Sequence, residues 1–152
     1  MKNKRFDFFT VKLPYVKEWR TSHYVQTHKG ATLVRVTDED GLCGWGECKS
    51  DDPYYGSEFL DSVWGVNTGY IVPAILGYDL ADINDYRRKI AHITGNQIAK
   101  SLVEMALWDL QGKRSGQSLQ LMLGGKKDRI QVGVSVPIQP SIDKLLKEVE
   151  GF

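Results

Sequence analysis

The feature that most limits what this chain can fold into is the order of its hydrophobic periodicities. Period-two alternation dominates the first 49 residues, helical spacing runs from about 57 to 116, and a single strand-helix pattern follows between 131 and 149. Strands first and helices afterwards is the order of an α+β domain, whereas parallel sheets need strands and helices to alternate. A strand-helix unit standing alone has no neighbour for its backbone N–H and C=O groups, and its helix face has nothing to pack on. The chain therefore reads as one self-sufficient α+β part, residues 1–128, joined to the beginning of a second part, residues 129–152.

In the first part, residues 5–13 predict a strand. Phe6 and Phe8 share one face and Phe9, Val11 and Leu13 the other, a change of face that a β-bulge would produce. Residues 14–30 open with Pro14, lack a clear period and predict a long loop, a kind of segment that often carries function. Thr32, Val34 and Val36 alternate in a second strand, Asp40-Gly41 supplies a tight hairpin turn, and a third strand follows over 42–49. Gly44-Trp45-Gly46-Glu47 has no third glycine and opens no helix, so it is not a dinucleotide fingerprint; its glycines predict close backbone packing. After a polar and aromatic stretch, 50–56, three helices are expected. Ser57 caps the first, with Glu58 in its first turn and Pro73 and Gly77 ending it. Asp82 caps the second, which buries Ile83, Tyr86, Ile90 and Ile93. Asn96 caps the third, which buries Ile98, Leu102, Met105, Ala106 and Leu110. In the second part Gln131–Val136 predicts a strand, and Ser141 caps a helix with Ile142, Leu145, Leu146 and Val149 on one face.

Composition excludes several classes of function. Twenty Lys and Arg against nineteen Asp and Glu leave a net charge of +1, which suits neither a nucleic-acid binder nor an acidic tail. No apolar run approaches the roughly 18 residues of a membrane span, and no secretory leader is recognisable, so no membrane partner and a cytoplasmic location are expected. Cys43 and Cys48, five apart, match neither a disulfide framework nor a zinc or redox pair and read as small hydrophobes of the sheet. His28 and His92 have no partner at metal-ligand spacing, and Asp109 with Lys113 forms an i, i+4 ion pair.

Four runs, in order and spacing, carry a family resemblance: Asp40 to Cys48 (DGLCGWGEC), Pro53-Tyr54-Tyr55, Ala99 to Lys113 (AKSLVEMALWDLQGK) and Leu123-Gly124-Gly125. Together they resemble the mandelate racemase and muconate lactonizing group of the enolase superfamily. Trp19-Arg20-Thr21-Ser22 and Val132 to Val136 (VGVSV) are most similar to its o-succinylbenzoate synthase and N-acylamino acid racemase members. The resemblance implies an α+β capping domain, a three-stranded antiparallel meander followed by a helical bundle, over 1–128. It implies that 129–152 are the first βα unit of a truncated (β/α) barrel. A barrel of this kind needs roughly 250 residues, and those beyond 128 suffice for one of its eight units.

The resemblance also implies the chemistry of the intact enzyme. Mg²⁺ held by three acidic side chains stabilises an enediolate while a lysine removes the proton beside a substrate carboxylate. The family's Lys-x-Lys base motif and its metal ligands lie further along the barrel. Lys126-Lys127 is adjacent rather than spaced, so no catalytic and no metal-binding residue is assigned here. Substrate-binding positions are carried over to Trp19, Arg20 and His23 in the first loop, Tyr55 in the second, and Ser135. With Val132, Val134 and Val136 directed outward, alternation also points Ser135 into a barrel. The implied partners are a small carboxylate substrate, the missing barrel domain and, for the intact enzyme, further copies of itself. The segment alone is expected to be inactive. The alternatives are a muconate lactonizing enzyme or dipeptide epimerase fragment, or a binding module without catalysis.

Overall fold

The computed structural model describes residues 2–49 and 56–152. Its strands are β1 (Asn3–Arg20), β2 (Val25–Asp38) and β3 (Cys43–Cys48). Its helices are α1 (Leu60–Val66), α2 (Val72–Ile75), α3 (Ile83–Lys89), α4 (Gln97–Ser115), α5 (Leu119–Met122) and α6 (Ile142–Glu150). The chain divides into two compact units, Met1–Val11 with Gly30–Lys126, and Lys12–Lys29 with Lys127–Phe152.

In the first unit the sheet order is β1-β2-β3, and β2 pairs antiparallel with β3 so that Val34 lies opposite Gly46, Arg35 opposite Trp45 and Val36 opposite Gly44. Val34 and Val36 are buried in a core with Val63, Ile71, Ile75, Tyr86, Leu102, Ala106, Leu107 and Leu110. The two strand glycines behave as their sequence context predicts. A Cβ on Gly44 would stand 2.1 Å from the Ala106 carbonyl oxygen, and one on Gly46 would stand 2.1 Å from that of Leu102. Helix α4 therefore lies directly on β3, closer than any side chain would permit. Asp109 fastens the contact: its carboxylate accepts the Trp45 N–H at 2.8 Å and pairs with Lys113 at 2.6 Å, while Lys113 donates to the Cys43 carbonyl at 2.9 Å. The expected i, i+4 pair is thus also a latch between helix and strand.

The Asp40-Gly41 turn forms as expected. Buried Asp38 accepts the N–H groups of Asp40 at 3.0 Å and Leu42 at 2.9 Å, Gly41 takes φ +85°, and Arg114 on α4 reaches both Asp38 and Asp40. The outer face of the sheet combines aromatic rings with an ion pair. The Phe9 and Trp45 rings lie 5.8 Å apart, and Arg35 sits under 6 Å from each while bonded to Asp7 at 2.9 Å. Phe6 and Phe8 pack against the core, so simple alternation puts Phe9 on the outer face, and no bulge is needed to explain it.

Several expectations are corrected. Residues 14–30 are not a loop: apart from a four-residue turn at 21–24 they are the far ends of β1 and β2. Pro14 is tolerated because β1 is an edge strand, where one side of the backbone needs no ladder partner. Helix α1 is capped by a reciprocal pair, Phe59 N–H to Ser62 Oγ and Ser62 Oγ–H to Phe59 O, and not by Ser57. Glu58 instead reaches 40 residues along the chain and accepts the N–H groups of Ile98 and Ala99, both at 2.9 Å. Asn96, the expected cap of α4, lies in the left-handed region at φ +54° and turns its amide to the Thr94 carbonyl. Pro73 does not end its helix. The preceding turn, Asn67–Ile71, widens to a π-helix in which Val72 N–H bonds Asn67 O, and the segment runs on to Ile75 before Gly77 (φ +78°) stops it. A wide turn relieves the clash between a proline ring and the carbonyl four residues earlier. Met105 is 42% exposed, and Val103 and Leu107 occupy the buried face of α4 in its place.

In the second unit α6 forms as expected, with Ser141 Oγ accepting the Lys144 N–H. Residues 131–136 form no strand, since a ladder requires a neighbour and none is present among the described residues. Ile142 (74% exposed), Leu145, Leu146 (54%) and Val149 (51%) leave the apolar face of α6 in solvent.

Candidate functional site

Three of the five expected substrate-binding residues gather at the tip of the β1–β2 ribbon. Trp19, half-buried, and exposed Arg20 are the last residues of β1, and His23 lies in the turn that follows. Thr21, which carries no expected binding role within the run 19–22, builds that turn. Its hydroxyl oxygen accepts the N–H groups of His23 at 3.3 Å and Tyr24 at 3.2 Å, and Thr21 N–H bonds the Tyr24 carbonyl at 3.0 Å. A threonine two and three residues before the chain reverses is an ST-turn signal, and this one was legible in the sequence.

The Arg20 side chain meets Glu18 at 3.6 Å, both more than half exposed, a contact that solvent screening leaves weak. Its backbone is better held: Arg20 O accepts the Ile138 N–H at 3.0 Å, and Lys17 pairs with Glu148 on α6 at 3.3 Å. The ribbon tip is thereby tied to the segment that follows Ser135. Ser135 itself is exposed. Just beyond it Val136, Pro137, Ile138, Ser141, Ile142 and Leu145 are among the residues that line a concavity of ≈ 400 Å³. Tyr55 lies outside the described residues.

The guanidinium, indole and imidazole near this ribbon tip are groups of the kind that recognise a carboxylate joined to an apolar body, although Trp19 and Arg20, as neighbours on β1, alternate in direction. They do not suit a divalent metal. Among the described residues no three His, Cys, Asp or Glu side chains converge. Five of the acidic groups are committed elsewhere: Asp7 to Arg35, Asp38 to Arg114, Glu104 to Arg87, Glu58 and Asp109 to backbone N–H groups. The donor set of the described residues therefore does not fit the Mg²⁺ site that the resemblance implies.

The family profile described as mandelate racemase / muconate lactonizing enzyme, N-terminal domain, matches residues 10–124, most of the chain. The chain belongs to that family. Among its relatives, the o-succinylbenzoate synthase of Geobacillus kaustophilus is 37% identical over 143 residues, 93% of this chain and 37% of the relative. The N-succinylamino acid racemase of Thermus thermophilus is 36% identical over 92% of this chain and 38% of its own length. Among solved structures, the L-Ala-D/L-Glu epimerase from Bacillus subtilis superposes with a TM-score of 0.89 at 30% identity, over 99% of this chain and 42% of the epimerase. The chain thus spans about two-fifths of the length of these family members. A three-stranded antiparallel sheet followed by helices is the architecture that it shares with its enolase-superfamily neighbours.

Proposed function

We propose that this chain is the substrate-capping portion of an enzyme that removes the proton beside a substrate carboxylate. The overall reaction is dehydration to o-succinylbenzoate, as in menaquinone biosynthesis, or racemisation of N-acylated amino acids. One observation carries the reading. Relatives named o-succinylbenzoate synthase and N-succinylamino acid racemase match 92–93% of this chain with only 37–38% of their own length. What matches is the family's N-terminal domain, so the remaining three-fifths of such an enzyme has no counterpart in these residues.

In this reading Arg20 binds the substrate carboxylate, Trp19 and His23 shape the space around it, and Tyr55 and Ser135 complete the pocket once a barrel is present. The lysine base and the acidic ligands of a Mg²⁺ ion belong to the remaining portion, and no chemical step is assigned to residues present here. That portion is also the partner that covers the α6 face and pairs with residues 131–136. Two thiols without a disulfide, Cys43 and Cys48, suit a reducing cytoplasm.

The chain alone, supplied with Mg²⁺, is expected to show neither dehydration nor α-proton exchange. Joined to the complementary portion of the Geobacillus kaustophilus synthase it is expected to turn over, and Arg20→Met in that fusion to raise KM about tenfold, the loss of roughly 1.4 kcal/mol of binding. Turnover by the chain alone would overturn the assignment of the chemistry to the remaining portion. A fusion insensitive to Arg20→Met would remove that residue from the site. The epimerase likeness favours a second reading, dipeptide epimerisation. A substrate panel containing L-Ala-D-Glu and the cyclohexadiene carboxylate separates the two.

A further inference from the structure

We draw no further inference here: the strongest candidate, the exposed outer face of the sheet where Phe9 and Trp45 flank the Asp7-paired Arg35, is an unpartnered aromatic patch, and nothing in the structure shows what covers it.

Discussion

At the scale of single residues, the two strand glycines are the least replaceable positions. Gly46→Ala would set a methyl group against the Leu102 carbonyl, backbone against backbone, where no side chain can swing aside. A cost of about 3 kcal/mol, the upper end of ordinary overpacking, is expected in urea unfolding. Gly65→Ala is the contrasting case. It lies in α1 with nothing within 4 Å of a Cβ, so the same substitution should raise stability by about 0.5–1 kcal/mol through helix propensity. Equal effects at the two sites would refute the close approach of α4 to β3.

Asp7 supplies a pH dependence. Its hydrogen bond to Arg35 holds its carboxyl below the usual carboxylate range, partial burial opposes this, and Arg5 reinforces it. A folded-state pKa below the unfolded one means that the contribution to stability is fully present above the unfolded value. It is lost as pH falls through the folded one, from about pH 4 downward. Unfolding free energies between pH 2 and 6 should therefore fall less steeply for Asp7→Asn than for the parent, and Arg35→Met should move the Asp7 titration upward in carboxyl NMR.

At the scale of elements, caps separate what is local from what is not. Asp82 accepts the Asp85 N–H and Ser141 that of Lys144, each three residues on, and both were readable from spacing alone. Helix α4 was not, because its cap, Glu58, comes from the segment before α1, some forty residues away. Glu58→Ala should cost about 1–2 kcal/mol, the range of a lost N-cap, and speed amide exchange at Ile98 and Ala99 specifically. Unchanged exchange at those two amides would show that the bonds do not persist in solution. The β1–β2 ribbon was missed for a related reason. Pro14 and the irregular mix of Tyr15, Trp19, Tyr24 and Val25 give no one-sided alternation, because alternation reports burial of one face and much of this ribbon is solvent-exposed on both. Its strands follow from pairing with each other, which single-strand patterning does not register.

At the scale of the whole molecule, the first unit has a closed core and the second does not. Ile130, Val132, Val134 and the stripe Ile142, Leu145, Leu146 and Val149 are all exposed, and the α6 stripe alone is an apolar helix face of the kind that drives association. The isolated chain should bind a hydrophobic dye and self-associate as its concentration rises. Leu146→Lys with Val149→Lys should suppress both, by sedimentation and fluorescence, while leaving the urea midpoint of the first unit unchanged. Persistence of self-association in that variant would point to another surface.

The sequence by itself determined the α+β order, the Asp40-Gly41 turn, the need for close packing at Gly44 and Gly46 and the caps of α3 and α6, because each rests on residues close together in the chain, and it determined the family through the order and spacing of four short runs. Only the tertiary structure decided where Glu58 binds, which residues of α4 face inward, how the helix passes Pro73, and that Trp19, Arg20 and His23 stand at the tip of a strand ribbon. Those outcomes depend on which elements meet, and a backbone group or a helix face has no fixed partner until the chain has folded around it.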